Sequence, residues 1–556
     1  MKINVNDFGI YAADTSDTVW KLRELLEKYR RQENVCLYFP SGMYHFYPDY
    51  AEELLLFIPN HDEDTIKRVA FNLTGYKKLQ ICGEQTKFVF HTDIVPFLVR
   101  DCEEICIEGI SVDYARPGYS QGIIRKVEPR RMVIEADAEE FPWYIRGDRV
   151  YFYGENYCRE LERWIEVDAE TNAPAYGLAD SAYNMADEGV EAHYKKIGEN
   201  LLELTLGERA ESFSEASKEG NYLILRHHPR NCPAFFLEES SDIQIRNVEI
   251  YHSLAMGVIA FCTRNITLEE VKICRHPEKQ HIFTVEADGF HFALCGGFVK
   301  IRKCLVENQL DDPVNIHGIY GRIKEVLEDG SFLAELVHHQ HKGVIQLKSG
   351  EAFRIVDNGT MLLFAQGRAK RVERWNKDYY RVWPENEISG VKPGFALENM
   401  GWMPEVEISE CTFRNNRARG ILCTTGNRAV IRKNYFHVPG AAVLIAGDAN
   451  FWFESGAAGE VFVEDNIFDQ CAYITEWGKA PIQVEPNTEN FEENRAYHGR
   501  LEVRNNRFYV SDERLFNGMN LRKLVWENNI VKKEEVFPMR EGEAFVMEHV
   551  LNVKKS

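Results

Sequence analysis

The chain has 556 residues, 44% of them hydrophobic and 28% charged, with a formal net charge of −21. That length exceeds one ordinary compact domain and fits an elongated repeat architecture with insertions. The acidic balance argues against nucleic acid or an anionic membrane as partner. Its 13 cysteines follow no metal or disulfide spacing, and Cys82, Cys106, Cys274 and Cys304 sit in apolar strand-like runs, so buried, reduced thiols are expected. The start, Met1 to Gly9, lacks the apolar stretch of a signal peptide, and no apolar run reaches the roughly 18 residues of a membrane span. A cytoplasmic location is the expectation, or export if a leader has been removed.

In chain order, Asp14-Thr-Ser-Asp17 is a helix-capping cluster, and Val19 to Tyr29 has helical periodicity with Leu22, Leu25, Leu26 and Tyr29 on one face. A helix here caps the open end of a sheet column. The order Asp7-Phe-Gly9, helix, Tyr38-Phe-Pro-Ser-Gly-Met-Tyr44 resembles the N-terminal cap of right-handed parallel β-helix polysaccharide enzymes. Short strands follow, and later ones repeat. Ile243–Val248 aligns with Ile266–Val271 at 23 residues, and Val406–Phe413 with Ala429–Phe436 at 23 again. Val461–Phe468, Leu501–Phe508 and Leu524–Ile530 continue the theme at 32, 40 and 22. Asn434, Asn466, Asn506 and Asn528 recur near the ends of these units, placed to form a ladder of backbone bonds at the turns. This period predicts an all-β, right-handed parallel β-helix; leucine-rich repeats share the period, but their consensus is absent. Two stretches, 118–230 and 319–400, have their own alternating strands and read as small inserted antiparallel β-barrels. The predicted units are therefore a cap with first coils (1–117), a barrel (118–230), central coils (231–318), a second barrel (319–400) and final coils (401–556). The barrels are placed to wall a cleft.

Asp288, Asp311 and Asp312 all lie shortly before the second insertion, with Asp288 and Asp311 one 23-residue period apart. Equivalent positions in successive coils lie about 4.8 Å apart, so the carboxylates share a face and repulsion should raise the pKa of one of them. A single aspartate in a β-helix turn is ordinarily a backbone-bonding residue. Three together, beside Asn315 and His317, point to chemistry. An inverting glycosidase needs a protonated carboxyl at the leaving oxygen and a carboxylate holding water on the opposite face, about 6.5–9.5 Å away.

Asp288-Gly, Leu310-Asp-Asp-Pro-Val-Asn-Ile-His-Gly318, Asn416-Arg-Ala-Arg-Gly-Ile-Leu422 and Gly447-Asp-Ala-Asn-Phe-Trp-Phe-Glu-Ser-Gly456 resemble glycoside hydrolase family 110 over nearly the whole chain. The resemblance implies an exo-acting, inverting α-1,3-galactosidase acting on linear Gal-α-1,3-Gal or blood-group-B-type glycans. It implies Asp311 as general acid, with Asp288 and Asp312 holding the attacking water. The missing signal peptide departs from family members that work on mucin glycans.

Asn315 and His317 are candidate sugar or supporting contacts, and Arg417 and Arg419 candidate partners of the cleft acids. Trp452 offers a face for a sugar ring and Glu454 an acceptor for hydroxyls, with Glu476-Trp477 a weaker candidate for the same face. His291 reads as core, and His227-His228 as structural. His338-His-Gln-His341 looks like a metal tract but lacks nearby acidic ligands, so neither metal nor cofactor is expected. The expected partner is a galactose-terminated glycan, and exposed aromatics in the insertions would permit a homodimer. Two other readings remain. Asp288, Asp311-Asp312, His317 and Arg322-Ile-Lys324 echo the polygalacturonases of family 28, although His317 follows the aspartate pair too closely. A non-catalytic carbohydrate-binding β-helix would bind a galactoside without releasing it.

Overall fold

The computed structural model describes residues 1–556 apart from 62–64, 181–190, 210–212 and 214. Strands of one coil pair in parallel with those of the next: Ile243 with Ile266, Val406 with Ala429, Val461 with Leu501. These long-separation parallel pairs stack coil on coil into a parallel β-helix. Alternation drives it. In strand Ser241–Arg246, Ile243 and Ile245 are buried while Gln244 faces water.

One corner of the column explains the repeat. Glu270, Lys303, Glu410, Lys433, Asp465, Asn505 and Asn528 all take a left-handed backbone, with φ between 53 and 58°. The next residue turns inward: Val271, Cys304 and Cys411, then Asn434, Asn466 and Asn506, all buried, and finally Asn529. The Oδ1 atoms of Asn434, Asn466, Asn506 and Asn529 each accept a backbone N–H from the preceding coil at 2.9 Å. Their amides donate to the carbonyls of Ile408, Ile431, Val463 and Val503, so buried backbone groups that lack strand partners are satisfied.

The last rung is Asn529, not Asn528, because Asn528 occupies the left-handed corner. The final spacing is correspondingly 23 rather than 22, with Leu501 opposite Leu524 and Phe508 opposite Val531. All 13 thiols are free. Cys304 is buried as expected, but Cys82, Cys106 and Cys274 are only half-buried.

Helix Val19–Tyr29 buries Val19, Leu22, Leu25 and Leu26, and the Tyr76 hydroxyl donates to the Leu26 carbonyl at 2.6 Å. Among the described residues, no helix is long and apolar enough to cross a membrane.

The second insertion closes on itself. Strand Val314–Val326 runs out of the column and pairs antiparallel with Phe332–Glu335 and with Ala396–Asn399. Tyr379–Pro384, Leu363–Arg374 and Ala352–Val356 complete a six-stranded ring. In the first insertion, the described residues form two sheets rather than a single closed ring. Its six antiparallel strands form a sheet ending at Arg163–Val167 and Ala192–Lys196, with a separate three-stranded sheet, Trp143–Arg146, Arg149–Gly154 and Tyr157–Glu160. Both sheets share one apolar core that includes Trp143, Phe152, Trp164 and Leu202, which covers the apolar faces without a hydrogen-bonded ring among the described residues.

Candidate active site

The site forms where three coils meet. Phe290 pairs with Val314, and Val314 with Ile421. Two residues back along that register, Asp288 lies level with Asp312, and Asp312 with Arg419. The Gly289 N–H accordingly donates to the Asp312 carbonyl at 2.9 Å. The coil offset here is thus 24, so the in-register counterpart of Asp288 is Asp312, and Asp311 sits one residue to the side. Gly289 makes the stacking possible: a Cβ there would lie 2.6 Å from Val306 and 2.8 Å from the Pro313 carbonyl.

The three carboxylates each bring an oxygen within 4.8 Å of the others. This is closer than the separation expected above for an inverting pair, because adjacent coils set the distance. Every oxygen is engaged. Asp288 Oδ1 accepts the Asp312 N–H at 3.2 Å, and Oδ2 lies 2.6 Å from His291 Nδ1. Asp311 Oδ1 accepts from Arg417 at 3.0 Å, and Oδ2 pairs with Arg230 at 2.7 Å. Asp312 Oδ1 accepts the backbone N–H and Nε of Arg419 at 2.8 and 3.1 Å, and Oδ2 its Nη2 at 2.8 Å. The buried Asn416 amide ties the segment bearing these arginines to the Asp311 carbonyl at 3.2 Å. Asp311 has the most exposed side chain of the three, 13% against 8% for Asp288 and 1% for Asp312, so it stands nearest the mouth.

Charge divides the three. Burial and the neighbouring Asp311 push Asp288 up to about 8. Burial also pushes Asp312 up to about 7, with Arg419 pulling against it. Burial alone would raise Asp311, but Arg230, Arg417 and Arg419 outweigh it and hold that carboxyl well below the usual range. A metal ion on this grouping would have to displace three guanidinium groups that already supply its positive charge.

The other candidates sort by position. His317 and Asn315 lie on strand Val314–Val326, opposite Ala293 and His291 respectively, and are buried. His317 Nε2 stands 2.9 Å from His291 Nε2, which places His291 in the site rather than in the apolar core. Glu454 lies 3.6 Å from His317 Nε2 and accepts the Asn60 amide at 3.1 Å. Gly318 and Ile319 pair antiparallel with Ser455 and Glu454, and a Cβ on Gly318 would meet Ser455 Oγ at 2.2 Å. Trp452 is contacted by the His338 ring at 4.8 Å and by Phe451 at 5.2 Å, and the Asp448 carboxylate anchors its N–H at 2.6 Å. Trp477 lies under the Arg417 guanidinium at 5.4 Å. Arg322 pairs with Glu335 at 2.6 Å within the barrel, which removes that element of the polygalacturonase echo. His339–His341 form a short 3₁₀ turn; the tract joins no grouping of metal-binding side chains among the described residues.

Sequence reading missed Arg230, Asp180 and Glu286. Asp180 accepts Arg417 Nε at 2.8 Å and pairs with Arg226 at 3.3 Å, so the first insertion braces the site. Arg230, in His228-Pro-Arg-Asn231, ends that insertion and carries no repeat signal. Glu286 is buried and pushed up to about 7 by that burial, against Arg226 and Arg230. Only its place two residues before Asp288 could have flagged it.

The chain matches the family GLAA-B beta-barrel domain I over residues 120–223. It is 30% identical to Alpha-1,3-galactosidase A of Shewanella woodyi, over 99% of this chain and 88% of that one. It is 28% identical to Alpha-1,3-galactosidase B of Bacteroides thetaiotaomicron, over 96% and 86%. An exopolygalacturonase structure from Thermotoga maritima aligns over 99% of this chain and 92% of that one, at 12% identity and a TM-score of 0.40, too distant to bear on the chemistry. The near-full-length match to the Shewanella protein makes this chain a member of the α-1,3-galactosidase family, glycoside hydrolase family 110.

Proposed function

We propose that the protein removes terminal α-1,3-linked galactose from linear Gal-α-1,3-Gal or blood-group-B-type glycans by single displacement, with inversion. The observation that carries the mechanism is the full occupation of all six carboxylate oxygens by protein donors or His291. A carboxylate so engaged is a poor nucleophile but a good anchor for water. Asp311, nearest the mouth, faces the leaving side of an exo-bound sugar and serves as acid; Asp288 and Asp312, deeper, hold the water. Water attacks C1, its proton passes to the base, the C1–O bond breaks, and the leaving oxygen takes the Asp311 proton.

Asp311 must gain that proton first. Sugar hydroxyls docking on Arg230 and Arg417 draw those donors away, and the buried carboxylate left beside Asp288 and Asp312 takes up a proton. The short carboxylate separation favours a second reading, a double displacement through a covalent intermediate.

On this reading the column is a right-handed β-helix, capped by the N-terminal helix. Its units divide near 117, 230, 318 and 400, and the two insertions wall the cleft.

Product analysis tests the function. Gal-α-1,3-Gal should yield free galactose while α-1,4- and α-1,6-linked digalactosides yield little; binding without release from any of them would favour a lectin-like protein. The pH dependence of kcat/KM should be a narrow bell. Activity falls as pH drops through about 7, where Asp312 protonates and the base is lost. It falls again as pH rises through about 8, where Asp288 ionises and docking must protonate a fully charged cluster. A flat profile between about pH 6 and about pH 9 would contradict these charge states.

A further inference from the structure

We propose that His317 and His291 are positioning residues that fix Asp288 in its acid form, so that of the two carboxyls beside the attacking water only Asp312 accepts its proton. This deepens the hydrolytic reading above and rests on it. Three hydrogen bonds run in one line, and their polarity is set at one end. His317 Nδ1 lies 2.7 Å from the Gly318 carbonyl, which can only accept, so that nitrogen carries the hydrogen. His317 Nε2 and His291 Nε2 are 2.9 Å apart and can hold one proton between them. Both rings are buried, and burial lowers both imidazoles, that of His291 to about 4. With both neutral, His317 Nε2 is the acceptor and His291 Nε2 the donor. His291 Nδ1 is then a bare lone pair, 2.6 Å from Asp288 Oδ2. That contact holds only if the carboxyl donates.

The charged groups around Asp288 are Asp311, Asp312, Arg230, Arg419 and Glu454. The histidines face Asp311, Asp312, Arg230, Glu454 and His341. Glu454, at 3.6 Å from His317 Nε2, is beyond hydrogen-bond reach. Asp288 keeps its proton through the reaction: its Oδ1 orients water, whose proton passes to Asp312, while Asp311 protonates the leaving oxygen. Arg419, bonded to both oxygens of Asp312, favours its ionised form, so Asp312 is the carboxylate that can accept the proton.

Nitrogen-15 NMR of the histidine-labelled full chain at neutral pH reads this without turnover, so it stands or falls apart from the substrate assignment. The proposal expects neutral His291 protonated on Nε2 and neutral His317 protonated on Nδ1. A doubly protonated His291, or one protonated on Nδ1, overturns it. Kinetics give a second check. His317→Asn keeps a donor for Gly318 but removes the Nε2 acceptor, freeing His291 to donate to Asp288 and favour its ionised form. The alkaline limb of kcat/KM should then move about one pH unit lower, and His317→Gln, which restores an acceptor, should return it. A uniform loss of rate with an unmoved limb would assign the histidines a merely structural role and overturn the proposal.

Discussion

Asp311→Asn should lower kcat/KM on Gal-α-1,3-Gal by about 100- to 10,000-fold, the usual contribution of a general acid. A basic sugar leaving group needs a proton as the C1–O bond breaks. A nitrophenolate does not, so the same variant should lose no more than about tenfold on a nitrophenyl α-galactoside. Asparagine keeps the volume and still offers Arg230 or Arg417 an oxygen, so folding should survive and the comparison remains interpretable. Equal losses on both substrates would remove Asp311 from the acid role. If the leaving-group dependence appeared instead in Asp288→Asn, the acid and water-holding roles would be exchanged. That exchange is the assignment the resting charges alone suggest, since Asp288 is the raised carboxyl and Asp311 the lowered one. Position at the mouth favours Asp311.

Asp312→Asn should be as damaging, about 100- to 10,000-fold in kcat, but blind to the leaving group. Water must be deprotonated whatever departs, and an amide cannot take its proton. Binding should change little, because Asp312 is the deepest and least exposed of the three. A variant that kept near-normal turnover on both substrates would make Asp312 a structural partner of Arg419, and the mechanism would lose its base.

The repeat and the three aspartates were legible because stacked coils enforce a spacing. Ile243 opposite Ile266 and Val406 opposite Ala429 are read correctly from the 23-residue recurrence of the apolar pattern. One-residue errors arose where the corner residue was ambiguous. Asn528 and Asn529 are chemically identical, and only the left-handed φ of Asn528 decides which turns inward. Likewise, a strict 23-residue period pairs Asp288 with Asp311, whereas the local offset is 24. Arg417 and Arg419 were accessible because they sit one coil beyond the aspartates. Arg230 and Asp180 were not, because insertions deliver them and insertions break the period. His291 looked like core because an inward histidine and a site histidine have the same alternation; the Gly318 carbonyl that orders its proton through His317 is a backbone group invisible to pattern.

The central claim, direct attack by carboxylate-held water on a terminal α-1,3-linked galactose, is tested most directly by proton NMR of Gal-α-1,3-Gal cleavage in its first minutes. Single displacement predicts that β-galactose appears first and the α-anomer grows in only by mutarotation. First appearance of α-galactose would contradict the account and make one of the three aspartates a nucleophile.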